Sequence, residues 1–313
     1  MSLNQSLAFV FPGQGSQKIG MLADMAAVYP VIEQTFAEAT QVLGYDLWDM
    51  VQNGNEDSIN LTERTQPILL TASVALWRIW QQKGGAQPAV LAGHSLGEWS
   101  ALVCADVVDF ADAVNIVRLR GAYMQEAVAP GQGAMAAIIG LDDDSIASCC
   151  ERAGLGEEVA AVNFNAPGQV VIAGVASAVD RAIVLCKEAG AKRAMPLAVS
   201  APFHTRMMKP AADKLAADLS RVAFNPPRIP IVHNVHGRPE ANPDTIRELM
   251  LEQIYSSVRW VDCVQRLVKL GARKTVECGP GKVLCGLNKR IEKSLQTLST
   301  DSLSSLDEAL GAA

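Results

Sequence analysis

Paired cysteines are missing from this chain of 313 residues. Its seven cysteines, an odd number, are Cys104, Cys149, Cys150, Cys186, Cys263, Cys278 and Cys285, and no Cys-x-x-Cys pair occurs. Several stand among apolar neighbours, as in Leu102-Val103-Cys104-Ala105. They read as buried free thiols of a reduced, cytoplasmic protein. Histidine is scarce too. There are four, at 94, 204, 233 and 236, with no His-Glu-x-x-His and no Cys/His cluster, so no metal site is expected. Basic residues are not in excess: 27 Lys and Arg face 33 Asp and Glu, a formal net charge of −6. That balance argues against a general nucleic-acid binder, which needs a basic surface to neutralise phosphates. A local basic patch for an acidic partner stays open. No apolar run reaches the roughly 18 residues of a membrane span. The first residues, Met-Ser-Leu-Asn-Gln, lack a basic stretch followed by an apolar one, so no secretory signal is expected.

What is present is ample apolar material. Hydrophobic residues make up 49% of the chain. At roughly 100–200 residues per domain, that predicts one large α/β domain or two smaller ones. Leu7–Phe11 reads as a buried strand closed by Pro12-Gly13, Pro67–Gln82 as a helix with Pro67 near its first turn, and Val90–Ala92 as a strand leading into a helix at Glu98. After the turn Pro130-Gly131-Gln132-Gly133, strands at Ala134–Ile139, Val159–Asn163, Gln169–Gly174 and Ala194–Val199 alternate with helices at Asp142–Arg152 and Ala176–Ala189. That βαββαβ order predicts a ferredoxin-like subdomain over residues 129–201, inserted between 1–128 and 202–313. Farther on, Pro226–Val232 reads as a strand and Pro243–Ile254 as a helix. The Ser-rich stretch Thr297–Ala313 reads as a tail that is loose at its end.

Gly93-His94-Ser95-Leu96-Gly97 fits the G-x-S-x-G pattern between a strand and a helix. That context is what a nucleophile elbow requires, since glycines relieve crowding around a strained serine. Ser95 would then carry its Oγ near a helix N-terminus, with the Leu96 N–H as an oxyanion donor. The bland alternative is an ordinary Gly-rich turn. A serine nucleophile needs a base. His204, on the segment Ser200-Ala201-Pro202-Phe203-His204 after a predicted strand, is preferred. His94 adjoins Ser95, but neighbouring side chains on an elbow diverge. His233 and His236 read as solvated loop residues. Phe11-Pro12-Gly13-Gln14-Gly15-Ser16-Gln17 is a second Gly-rich loop, and Lys18 stands where a dinucleotide fingerprint needs Gly. Its Gln14 N–H is the candidate second oxyanion donor. Arg120 lies on an apolar-periodic helix. It is either a solvated surface arginine or a bidentate clamp for a carboxylate, and spacing does not choose between them.

Together these segments resemble malonyl-CoA:acyl-carrier-protein transacylases of bacterial fatty-acid synthesis and the acyltransferase domains of polyketide synthases. The carrying segments are residues 11–17, Thr65-Gln66-Pro67, Gly93–Glu98, Arg120–Gln125, Asn163–Gly174, Ala201–His204 and Glu277–Leu284, in order along nearly the whole chain. The resemblance implies a hydrolase-like α/β fold with a ferredoxin-like insert. It implies Ser95 as nucleophile, His204 as base, Gln14 and Leu96 as the oxyanion hole, and Arg120 as the grip on a malonyl carboxylate. It also implies that the main-chain carbonyl of Gln253 orients the base, giving a dyad rather than a Ser-His-Asp triad. Gln66, Asn165 and His94 fall at pocket positions, and Phe203 at a position associated with malonyl over methylmalonyl. The implied partners are malonyl-CoA, as a substrate with no separate cofactor, and the phosphopantetheine thiol of acyl carrier protein. Lys192, Arg193, Arg206, Lys209, Lys289 and Arg290 are candidates for docking an acidic carrier. A thioesterase or patatin-like lipase would share the elbow without needing Arg120. A non-catalytic carrier-binding scaffold would need neither Ser95 nor His204. An acyltransferase for another extender unit is the third alternative.

Overall fold

A computed structural model describes residues 2–199 and 201–313. Met1, part of the amino-terminal segment read above, and Ser200, which opens the segment leading to His204, lie outside the described residues. The mixed α/β class expected from the sequence is what the structure has.

The larger sheet is built on β1 (Leu3–Phe11) and β2 (Gln87–Gly93). A smaller sheet holds β3 (Gly133–Ile139), β4 (Val159–Ala166), β5 (Gln169–Val175) and β6 (Arg193–Pro196). The larger sheet is completed by β7 (Ile231–His233), β8 (Arg238–Glu240), β9 (Lys274–Glu277) and β10 (Gln296–Ser299). Its order is β10-β9-β1-β2-β7-β8, all parallel except the β7–β8 edge pair. The smaller sheet has the order β4-β5-β3-β6 and is antiparallel throughout, as a βαββαβ unit folds.

β1 lies at the centre of its sheet, and Leu7 through Phe11 are all fully buried. A strand covered on both faces needs a continuous apolar run rather than alternation. The two faces differ in bulk. Phe9 meets Trp77 and Trp80 edge-on, at centroid distances of 5.2 and 4.9 Å, from the helix Thr62–Gln82. The opposite face offers Ala8, Val10, Val90 and Ala92, against which Trp260, Leu267 and Leu284 pack. Phe11 pairs with Gly93 and Ala92 with Val232, so the carboxyl ends of β1, β2 and β7 open side by side. In open α/β sheets that is where ligands bind.

Several elements differ from expectation. The helix that was to begin at Pro67 begins at Thr62, which puts Pro67 inside it at the cost of one hydrogen bond to the Glu63 carbonyl. Only Ile231–His233 of the stretch 226–233 forms a strand, because Pro226, Pro227 and Pro230 have no N–H to give a ladder. Helix Pro243–Glu252 ends in a 3-10 turn, Gln253–Tyr255. The tail is not loose: β10 pairs with β9, and helix Leu303–Ala312 buries Leu306 and Ala309. All seven cysteines are free thiols; six are buried and Cys285 is half-buried. Among the described residues no helix is long and apolar enough to cross a membrane.

Candidate active site

Ser95 joins β2 to the helix Leu96–Cys104 with φ 49° and ψ −107°, a conformation most side chains avoid. The flanking glycines make that turn possible. A Cβ on Gly93 would stand 1.9 Å from the Gly97 carbonyl carbon, and one on Gly97 would stand 2.0 Å from the Phe11 oxygen. Asn234, just past β7, braces the elbow from outside. Its Oδ1 accepts from the Ser95 N–H at 2.7 Å and its Nδ2 donates to the Gly93 carbonyl at 2.7 Å.

Ser95 Oγ lies 2.8 Å from His204 Nε2. On the other side of the ring, His204 Nδ1 lies 2.8 Å from the Gln253 carbonyl oxygen. A carbonyl only accepts, so Nδ1 carries the proton and Nε2 presents a lone pair to the serine hydroxyl. Burial, and then the Arg120 charge, push the His204 pKa down to about 3, against the partial opposition of the bond to Gln253. The imidazole is therefore neutral at ordinary pH, the form in which a histidine can accept a proton.

Arg120 is no surface residue: only 1% of it is exposed. Its Nη1 donates to Gln66 Oε1 at 2.8 Å and its Nη2 to Gln253 Oε1 at 2.9 Å, with a longer contact of 3.3 Å to Ser95 Oγ. Among the described residues its Nε finds no acceptor. All these partners are neutral oxygens. Burial lowers the guanidinium pKa to about 10, while the nearby Glu98 charge holds it up. A buried cation without a bonded anion is costly unless an anion arrives.

Ser95, His204 and Arg120 border a cavity of about 130 Å³ that Gln14, Gln66, His94, Leu96 and Phe203 also line. Among the described residues neither the Gln14 nor the Leu96 N–H has an acceptor within the protein. A second cavity of about 240 Å³ adjoins it, sharing Gln14, His94, Asn163 and Leu197 and extending past Asn165 and Gln169 to Val283 and Leu287. Asn165 Oδ1 accepts from His94 Nε2 at 2.7 Å. The Asn163 Oδ1 is buried between the two cavities, with no partner among the described residues.

The expectation for His233 is overturned. It is fully buried, and its Nδ1 lies 2.6 Å from Glu98 Oε1. β7 carries it into the core, where it can sit only because Glu98 is there to pair with it. His236 is half-buried and accepts from the Arg238 N–H. Glu98, Asn234 and Asn163 are the polar residues of this region that spacing did not single out. Glu98 stood within the Gly93–Glu98 segment, and that was its one visible signal. Of the candidate docking cations, Lys209 pairs with Asp213, and Arg290 donates to Gln169 at the edge of the second cavity. Among the described residues no three His, Cys, Asp or Glu side chains gather as a metal site requires.

Comparison with known proteins covers nearly the whole chain. The family described as "Acyl transferase domain" matches residues 8–303. A malonyl CoA-acyl carrier protein transacylase of Escherichia coli K12 is 58% identical over 303 residues, 97% of this chain and 98% of that protein. The crystal structure of an acyl carrier protein S-malonyltransferase from Vibrio cholerae is 58% identical, with a TM-score of 0.95 over 97% of this chain and 99% of that one. A malonyl-transacylase solved in complex with its type II PKS acyl-carrier protein is 54% identical, with a TM-score of 0.97 over 98% of this chain and all of that one. A chain matched at this identity and length, with a strained serine elbow at the mouth of its parallel sheet, belongs to the acyltransferase-domain family.

Proposed function

We propose that this chain moves a malonyl group from coenzyme A to the phosphopantetheine thiol of an acyl carrier protein through a malonyl-Ser95 intermediate, supplying extender units for fatty-acid synthesis. One observation carries the reading beyond a generic serine acyltransferase. A buried guanidinium, bonded only to neutral oxygens, stands 3.3 Å from the nucleophile. An acyl group bearing its own carboxylate is the substrate that completes it. A hydrolase of uncharged esters has no use for such a cation.

In the forward half-reaction the malonyl carboxylate binds Arg120, and Ser95 Oγ attacks the thioester carbonyl while His204 Nε2 takes the hydroxyl proton. The oxyanion forms between the Gln14 and Leu96 amides, an interaction typically worth about 10²–10³ in rate per donor. Coenzyme A leaves as its thiol, protonated by His204. The carrier thiol then attacks the serine ester and runs the same steps in reverse, which is ping-pong covalent catalysis. The second cavity, which shares Gln14, His94, Asn163 and Leu197 with the first, suits the pantetheine arm of either thiol. Phe203 stands beside the base and narrows the space at the substrate α-carbon, which favours malonyl over branched analogues.

The chain needs no cofactor on this reading. Its lack of paired cysteines suits a cytoplasmic enzyme. Residues 129–201 form the insert, a division supported by the separate four-stranded sheet, and 1–128 with 202–313 form the catalytic subdomain.

Arg120→Ala tests the assignment. Malonyl transfer should fall by about 10²-fold or more, the scale of losing a charge-assisted bidentate contact. Acetyl transfer should fall far less. Steady-state comparison of malonyl-CoA and acetyl-CoA measures this, and an unchanged preference would sink the clamp.

A further inference from the structure

We infer that Glu98 is a positioning residue whose buried carboxylate sets Gln253, and through Gln253 the Arg120 clamp. The inference rests on the malonyl-transfer reading above and deepens it. Glu98 is 1% exposed and sits in the first turn of the helix that Ser95 opens. Its two oxygens receive three donors: Gln253 Nε2 at 2.7 Å, His233 Nδ1 at 2.6 Å and the Asn234 N–H at 3.2 Å.

The orientation of Gln253 follows from these partners. Its Nε2 faces the Glu98 carboxylate and the Ser95 carbonyl, at 2.7 and 3.0 Å, and both of those groups can only accept. The amide oxygen must then turn the other way, where it accepts from Arg120 at 2.9 Å. The main-chain carbonyl of the same residue holds His204. Glu98 thus reaches the clamp through a single amide. It also reaches the nucleophile, because the Asn234 that it holds by the main chain braces the Ser95 N–H.

The arrangement solves a specific electrostatic problem. A carboxylate bonded directly to Arg120 would occupy the fork that the substrate carboxylate needs. With none nearby, the buried guanidinium would go uncompensated. Glu98 sits one amide away, so its charge supports the cation while the guanidinium keeps hydrogen-bonding capacity free.

Glu98→Gln removes the charge and one of the two oxygens that accept from Gln253, His233 and Asn234. The measurement is the rate at which Ser95 takes up malonyl and, separately, acetyl from their coenzyme A esters, per folded enzyme, by quenched intact mass. The malonyl-over-acetyl preference should fall by about tenfold, the scale of one lost hydrogen bond to a charged group. Gln253→Met, which keeps Glu98 and the main-chain carbonyl, should shift the preference in the same direction, and it decides the matter if Glu98→Gln does not fold. A purely structural role would slow both acyl groups by the same factor. That outcome, or an unchanged preference in either folded variant, overturns the inference. If the wild-type enzyme itself takes up no malonyl group, the functional reading fails and the inference goes with it.

Discussion

Arg120 and His204 each depend on burial, with opposite results. Burial makes the arginine a cation in want of an anion, and it keeps the histidine neutral. The consequence for pH can be measured. With the His204 pKa near 3, the acid limb of kcat/KM for malonyl-CoA should lie well below the ordinary histidine value of about 6.5. A full pH–rate profile checks this, and a limb at 6.5 would contradict it. The sign for stability follows from the same shift. The unfolded chain binds the His204 proton more readily than the folded one. The residue's contribution is therefore complete above about 6.5 and is lost as pH falls through about 3. From spacing, His204 was only a preferred histidine and Arg120 an open choice. Neither burial nor the Gln66 and Gln253 contacts can be read from spacing, because those partners lie 54 and 133 residues from Arg120.

The elements most legible in the sequence were those whose burial imposes a pattern. Leu7–Phe11 is a continuous apolar run because both faces of β1 are covered, and the elbow shows as glycines because a Cβ at Gly93 or Gly97 would stand about 2 Å from neighbouring backbone. Elements stabilised mainly by a neighbour were not legible. β8, Arg238–Glu240, is an exposed edge strand with no apolar pattern, and only its pairing with β7 defines it. The Ser-rich tail hid a docked helix behind its composition. That helix gives a direct test. Leu306 is fully buried in the main core, so Leu306→Ala should cost about 2–5 kcal/mol in denaturant unfolding. A loss near zero would mean that the helix is not packed there.

Across the whole molecule, the site is an assembly of loops that chain order keeps far apart. The Gln14 loop, the Ser95 elbow and Asn234 meet because β1, β2 and β7 are parallel neighbours with aligned carboxyl ends. His204 and Gln253 come from outside that sheet's strands and are tied together by one ring nitrogen. The collinear segments name Gln14, Ser95 and His204, and the family resemblance adds Gln253, but nothing in the sequence points to Asn234. They did not show Glu98 and His233 hydrogen-bonded in the core across 135 residues, because a buried long-range contact leaves no local periodicity. The central claim is that Ser95 carries malonyl between two thiols. Its most direct measurement is to isolate the enzyme after exposure to malonyl-CoA, map the adduct, and add holo acyl carrier protein in a single turnover. The account predicts one malonyl group on Ser95, none on a Ser95→Ala variant, and its passage to the carrier thiol rather than to water. An adduct elsewhere, or release chiefly as free malonate, would contradict it.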